Sequence, residues 1–440
     1  MARMLTVRFA PRTTACIACA AIDPSRYRPS YPRGNMSEPQ KTGPVGVLSN
    51  VKVLEIGQFG AAPMCSMLLG DMGADVIKVE DPDGGEQYRH NQPMKDGWSH
   101  YFVSINRNKR SFAVDFKQHK GRDLLRKLVA QMDVLVENMR PGVLDRAGLG
   151  HEELLALNPK LIYCSISGFG HTGPLAKQGA YDQIIQGYSG MMALTGHAGQ
   201  RPAKLAPAVP DIAAAYSATV AILGAYIHRL QSGKGQWIDQ GMLDASLYSM
   251  ALLYLPQLIG YGESPKPLGA AHPVVAPLDA YPTADDSYIN TGIVTKEMWG
   301  PFCRSIERLD LENDPRFAHM ADRVRNRDEL DEILFAVFRQ RTRDEWVEIM
   351  TRGGVPAGPV LDLKEAFAHP QARSREMLLT APDSVWGSVQ SIGHSFKYGS
   401  TPNSVRLPAP RLGEHNEEIV RALGLPDAEI AALKQAGVFR

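Results

Sequence analysis

One acid sits where acids are rare. Asp211 is the only carboxylate in LAPAVPDIAAAYSATVAILGAYIHRL, residues 205–230, where it follows a proline and precedes a long run of small and apolar residues. Two readings are open. An aspartate after an extended residue and a proline can cap the helix, accepting from the free N–H groups of its first turn. A helix that is apolar all round is otherwise buried. Its opening carboxylate would then be desolvated, held in one direction and favoured as an anion by the helix dipole, which suits a nucleophile.

Other groups stand near turns. NRNKRS (106–111) puts Arg107, Lys109 and Arg110 before a strand, either as a solvated basic turn or as a phosphate site. ENMRPGVLDRAG (137–148) sets Asn138, Arg140 and Arg146 after a strand, on the edge where open α/β sheets take ligands. His171 and His272 lie in Gly/Pro loops, where a lone histidine is usually only a loop residue. Cys16 and Cys19 form a CIAC pair with no second ligand pair, which leaves zinc or redox chemistry unsupported. There is no G-x-S-x-G and no H-E-x-x-H.

These groups need a scaffold, and its pattern is regular from residue 50 onward. VKVLEIG (51–57), ADVIKVE (74–80), SFAVDF (111–116), DVLVEN (133–138) and LIYCSISG (161–168) are β-rich runs, separated by helical spacings such as AAPMCSMLLGDMG (61–73) and KGRDLLRKLVAQM (120–132). Near-continuous apolar strands alternating with helices predict a mostly parallel, doubly wound sheet in an α/β fold. The first strand-to-helix turn, GQFGAAP (57–63), lacks the third glycine of G-x-G-x-x-G, and VEDPDGG (79–85) carries several acids, so a dinucleotide enzyme is weakly supported. What the turn offers is small residues and free N–H groups at a helix N-terminus, suited to an anion or a closely approaching ligand chain. Further on, DAYPTADDSYINTGI (279–293) predicts a hairpin turning at TADDS.

Bulk composition narrows the partners. The 440 residues are 44% hydrophobic and 22% charged, and 48 basic against 47 acidic residues give a net charge of +1. That balance gives no electrostatic reason for nucleic acid or an acidic membrane as partner, and no uncharged apolar run reaches the length of a membrane span. Five scattered cysteines make a disulfide framework improbable and fit a reducing cytoplasm. Residues 1–46 differ from the rest, being rich in arginine with Asp23 the single acid before residue 38. They read as a transit peptide, which would place the protein in the mitochondrial matrix, or as residues upstream of a start at Met36; Arg8 and Arg12 interrupt any secretory core. In each case the segment is expected to be disordered and outside the fold.

LSNVKVLEIGQFGAAPMCSMLLGDMGADVIKVE, NRNKRSFAVDFK, DVLVENMRPGVLDRAGL, NPKLIYCSISGFGHTGP, AYDQIIQGYSGMMALTG, SGKGQWIDQGMLDA, GVPAGPV and RLGEHNEEI occur in this order. Together, across about residues 47–440, they resemble the class III CoA-transferases, which include formyl-CoA and carnitine CoA-transferases and share a fold with α-methylacyl-CoA racemases. The resemblance implies that Asp211 is the nucleophile. It also implies that Gly60, Ala61, Val114 to Lys117, Asn138, Met139, Arg140 and Arg146 hold the CoA nucleotide and pantetheine, and that Gln178 and Tyr181 line the thioester end. Asp81 stands where formyl-CoA transferase carries an arginine. By the same resemblance the CoA thioester is a substrate, with no permanently bound cofactor and no metal. CoA would pass through an aspartyl anhydride and an aspartyl-CoA thioester, the loop 268–277 would stand where the family closes its site, and two chains would interlace as a homodimer.

Racemases of this superfamily carry GHD where this chain has Ala180, Tyr181 and Asp182. Tyrosine is a poor acid/base partner near neutral pH, so transfer is favoured over racemisation, and Asp182 is expected to cap a helix. A non-catalytic CoA-binding relative would be expected to have lost Asp211. Arg201 and Lys204 could pair with a second carboxylate, which would favour a dicarboxylate such as succinate. The expected organisation is a Rossmann-like domain at 47–235, a linker at 236–267, a smaller α+β domain at 268–365 and a C-terminal segment, 366–440, that returns to the large domain.

Overall fold

Six runs between residues 52 and 241 pair side by side, all parallel, in the computed structural model, which describes residues 46–439. The N-terminal extension, with Met36 and the CIAC pair, lies outside the described residues. The strands are β1 (Lys52–Ile56), β2 (Asp75–Glu80), β3 (Lys109–Ala113), β4 (Val134–Glu137), β5 (Ile162–Ser167) and β6 (Gln236–Gly241), in the order 3-2-1-4-5-6. That is the doubly wound order, whose winding reverses between β1 and β4 and opens a crevice beyond the carboxyl ends of the strands. The helices are α1 (Ala61–Asp71), α2 (His119–Val129), α3 (His151–Leu157), α4 (Asp182–Tyr188), α5 (Val209–Ser232), α6 (Met242–Tyr248) and α7 (Tyr254–Tyr261), with α8 (Asn416–Ala422) and α9 (Asp427–Gln435) near the C-terminus.

Each face of the sheet is covered, as apolar parallel strands require. On one face Cys65 and Leu69 of α1 and Ala214, Ala218 and Ile222 of α5 pack on Val53, Val134 and Ile162. On the other, Leu124 and Leu128 of α2 meet Ile419, Val420, Ile430 and Leu433 of the C-terminal helices over Leu54, Ile77 and Leu135. A third core, around Tyr281, Phe302, Phe338 and Trp346, belongs to a three-stranded antiparallel sheet. Its strands are β7 (Leu278–Pro282), β8 (Tyr288–Gly292) and β9 (Ala357–Pro359). The hairpin between β7 and β8 forms as its turn residues predict, with Asp286 at φ 54°.

Three expectations change. β6 starts at Gln236, inside the stretch expected to be a linker, so the large sheet runs on to Gly241. QWIDQG does not read as an apolar run because it is an edge strand with Gln236 and Asp239 exposed. Helix α5 is not buried all round. Its inward face is mostly small, Ala214, Ala215, Ala218, Thr219 and Ala225, while Val220 is 69% exposed and Ile227 and Leu230 also face outward. By length and composition it is apolar enough to cross a membrane, yet its small face packs on α1 and β5.

NRNKRS is neither a solvated turn nor a phosphate site. Arg107 is buried, paired with Asp71 at 2.6 Å and bonded to Ser391 and to the carbonyl of Ile392, and Arg110 bridges Asp75 and Glu418. Lys109 is fully buried, 2.8 Å from Glu55, whose other oxygen takes Lys78 at 2.6 Å. Burial pushes the Glu55 carboxyl up, but the two ammonium groups outweigh it and hold it at about 2. Burial, opposed by Glu55, brings Lys109 down to about 8. The Glu55 stabilisation is present above its ordinary value of 4.5 and is lost as pH falls through about 2. Removing one partner of a buried charge cluster strands the others, at a cost of about 3–5 kcal/mol. Glu55→Gln is therefore expected to lower the urea-unfolding free energy by about that amount; a loss within experimental error would show that the lysines do not depend on it.

Candidate active site

Asp211 is the third residue of α5, behind Val209 and Pro210, and it caps nothing; Ala208 stands at the cap without a side-chain bond. The carboxylate instead lies on the turn between β1 and α1. A Cβ built on Gly60 would fall 2.6 Å from Asp211 Oδ2 and 2.7 Å from its Cγ. Gly60 has φ −93° and ψ −68°, angles open to any residue, so glycine is required there for space and not for backbone freedom. At the same turn the N–H of Ala61, first residue of α1, donates to the carboxylate. Free N–H groups at a helix start favour an anion.

The turn is held from three sides. Asn138, at the end of β4, clamps Gln58 with both ends of its amide: Oδ1 accepts from the Gln58 N–H at 2.9 Å and Nδ2 donates to the Gln58 carbonyl at 2.7 Å. Phe59 has φ 61°, a left-handed conformation uncommon for an aromatic residue. Its N–H donates to Glu86 Oε2 at 3.0 Å, and Glu86 Oε1 lies 3.4 Å from buried Lys78. Asp182 does not cap its own helix; Oδ1 accepts the backbone N–H of Asp211 at 3.3 Å and Oδ2 accepts from Gln186 at 2.7 Å. Burial, then the charge of Asp182, push the Asp211 carboxyl up to about 7 against the pull of the Ala61 N–H.

A cavity of about 580 Å³ opens over this carboxylate. Of the residues expected to hold CoA, it brings together Gly60, Asn138, Met139, Arg140, Gln178 and Tyr181 with Asp211. A second cavity, about 230 Å³, shares Gln58 and Met139 with the first and is lined by Lys117 and Asp81. Those two are paired at 2.9 Å, so Asp81 acts as the acidic partner of Lys117 where formyl-CoA transferase has an arginine. Ala61 is buried and reaches the site through its N–H alone.

Two expected contacts are not brought here. Val114 is fully buried in the core under α2, because the strand end turns it inward, and no ligand can touch its side chain. Arg146 is exposed at the end of a short helix, Val143–Arg146, and lines neither cavity. Lys204 lines the main cavity while Arg201 does not, and neither does His171 or His272. The loop 268–277 is tied near its start, where the Gly269 N–H donates to Gly196 O at 2.7 Å. Phe59, Tyr88, Ser167 and Lys204 also line the main cavity, so the Asp211 and Asp182 carboxylates share it with hydroxyl groups and with the cations Arg140 and Lys204. Among the described residues no group of three or more His, Cys, Asp or Glu is placed to hold a metal ion.

Comparison with known proteins identifies the family. Residues 48–416 match the model of CoA-transferase family III. Human succinyl-CoA:glutarate CoA-transferase is 34% identical over 393 residues, 89% of each chain. Acetyl-CoA:oxalate CoA-transferase of Acetobacter aceti is 33% identical over 398 residues, 90% of this chain and 100% of the relative. Among solved structures, a CAIB/BAIF family protein from Brucella suis superposes with a TM-score of 0.77 at 36% identity, over 86% of this chain and 99% of that one. With the match running from the first strand to the C-terminal helices, the chain belongs to CoA-transferase family III.

Proposed function

We propose that this chain moves CoA from succinyl-CoA to a second small dicarboxylic acid, with Asp211 carrying the covalent intermediates. The observation that carries the reading is the Asp211 carboxylate, half-sheltered on the Gly60–Ala61 turn at the floor of the cavity. An acid whose pKa is raised to about 7 is a more basic, and so a stronger, nucleophile than an ordinary carboxylate, and part of it is ionised at neutral pH.

The chemistry balances in four steps. An Asp211 oxygen bonds to the thioester carbon, the C–S bond breaks and CoA thiolate leaves, giving a mixed anhydride. The thiolate then attacks the Asp211 carbonyl carbon, which releases the donor's carboxylate and leaves an aspartyl-CoA thioester. The acceptor carboxylate displaces the thiolate to form a second anhydride. Finally the thiolate takes the acceptor's acyl group and returns Asp211 as the free carboxylate. No proton need be lost or gained overall. Exchange of an α-proton would call for a second acid/base group, and among the described residues no histidine lines the cavity.

Support for the substrates comes from two sources. The relatives named for succinyl-CoA pair it with glutarate, citramalate or mesaconate, all dicarboxylates. Lys204 faces the cavity and can pair with the carboxylate that does not react. The two cavities, which share Gln58 and Met139, suit the CoA chain, with Asn138 to Arg140 lining the first and Lys117 the second.

A homodimer is part of the same proposal. Val220, Ile227 and Leu230 of α5, Tyr248 of α6, Leu252, which is 95% exposed, and Ile259 and Tyr261 of α7 are all bare apolar side chains. Exposed large apolar residues in such number support an interface.

Four measurements test these readings. Mass spectrometry after incubation with succinyl-CoA and labelled mono- and dicarboxylic acids is expected to show labelled acyl-CoA from the wild type and none from Asp211→Ala. Lys204→Ala should lower kcat/KM for dicarboxylates by about tenfold more than for monocarboxylates, as loss of one charge-assisted bond implies; an equal loss on both removes the assignment. Gly60→Ala should keep the fold by circular dichroism yet lose at least about 100-fold in rate, the usual consequence of displacing a reacting group by about 1 Å. Light scattering should give two chains per particle, and a monomer at micromolar concentration would end the dimer proposal.

A further inference from the structure

When a carboxylate attacks a thioester, the carbonyl oxygen takes up negative charge, and it does so here beside two acids, Asp211 and Asp182. Such an oxyanion needs a fixed donor. Two of the donors at the cavity are already committed, the Asn138 amide to Gln58 and the Ala61 N–H to Asp211, while the Ser167 hydroxyl is buried at the end of β5 without a partner among the described residues.

Tyr88 is different. It lines the cavity with Asp211 from a short helical turn, Gln87–His90, whose start is fastened by Glu86. Its ring meets Phe59 edge-on, with centroids 5.5 Å apart at 88°, and leans on Tyr101 at 5.4 Å. The same Glu86 oxygen that accepts from the Phe59 N–H also accepts from the Tyr88 N–H at 3.4 Å, so one carboxylate fixes both the nucleophile's turn and the tyrosine. Among the described residues the Tyr88 hydroxyl takes no hydrogen bond. Two packed rings and an anchored backbone thus hold in place an uncommitted O–H on a residue that lines the same cavity as Asp211.

We propose that Tyr88 is a catalytic residue that donates its hydroxyl to the thioester carbonyl oxygen as Asp211 attacks; this rests on the transfer reading above. As the Asp211 oxygen bonds to carbon, the C=O π pair moves onto oxygen and is held by the Tyr88 O–H. The pair returns to re-form C=O when the C–S bond breaks and thiolate departs. Tyr88 keeps its proton throughout. Burial first, and the Asp211 charge next, push its hydroxyl up to about 12, so it remains a donor over the working range of pH.

The test is Tyr88→Phe, which keeps both ring contacts and removes only the O–H. In transfer assays with succinyl-CoA, kcat and kcat/KM are expected to fall together by about 100-fold, the mark of a donor used in the transition state. Binding of an S-alkyl-CoA thioether, which has no carbonyl oxygen, should stay within about twofold of wild type, since its affinity involves no oxyanion. A wild-type kcat in Tyr88→Phe, or a loss confined to KM and to thioether affinity, overturns the assignment while the transfer reading stands. A wild type that moves no CoA overturns both.

Discussion

The site depends on one close approach: the Asp211 carboxylate occupies the space that any side chain at position 60 would fill. From that contact the electrostatics follow. The start of α1 draws the anion through the Ala61 N–H, while burial and Asp182 resist it, and resistance wins, so the carboxyl titrates near 7 and not near its ordinary 3.8. Because the folded-state value is raised, the folded chain binds the proton more tightly than the unfolded one. Stability is therefore fully present below about 3.8 as far as this group is concerned, and is lost as pH rises through about 7. The fold opposes ionisation of the Asp211 carboxyl, proposed as the nucleophile, and that opposition makes the anion more basic when it forms.

Something else must hold the turn against this strain, and the buried charges beneath it do so. Lys78 sits between Glu55 and Glu86, at 2.6 and 3.4 Å, and also donates to the Gly57 carbonyl at 3.0 Å. Glu86 in turn holds the Phe59 N–H. A left-handed aromatic residue costs on the order of 1–3 kcal/mol and persists only where its surroundings over-determine it. Here a carboxylate below, the Asn138 clamp on the preceding residue and rings on two sides, Tyr88 and Tyr181, supply that determination. The charge cluster between the sheet and α1 and the turn at the start of α1 are one structure.

How much of this could be read from residues alone follows from the range of each interaction. β1, β2, β4 and β5 were legible because interior strands carry runs of buried apolar residues, and β3, at one edge, through Phe112 to Val114; β6, at the other edge, was not, because Gln236 and Asp239 face outward. Asp211 stood out as the only acid in an apolar helix, although its role as a cap was overturned by its position inside the first turn. NRNKRS misled because its partners are remote: Asp71 is 36 positions from Arg107 and Ser391 is 284 away. Charges whose counter-ions lie that far along the chain look solvated. Glu86 and Tyr88 carry no motif, and their meaning appears only once Phe59 turns toward them.

Helix α5 shows why its composition takes the form it does. A surface helix ordinarily puts large apolar residues inward and polar ones outward. In α5 the inward residues are mainly alanines, and Thr219 Oγ1 comes within 3.4 Å of Cys65 Sγ on α1. Larger residues there would hold α5 off α1 and lift Asp211 away from Gly60, so that close contact itself demands a small inner face. The outward Val220, Ile227 and Leu230 have no such duty in one chain, and their apolar character is accounted for by the partner surface of the proposed dimer. On that reading one rigid helix joins the interface to the nucleophile, and the two requirements together, closeness within and a covered face without, produce an apolar helix with a single acid at its start.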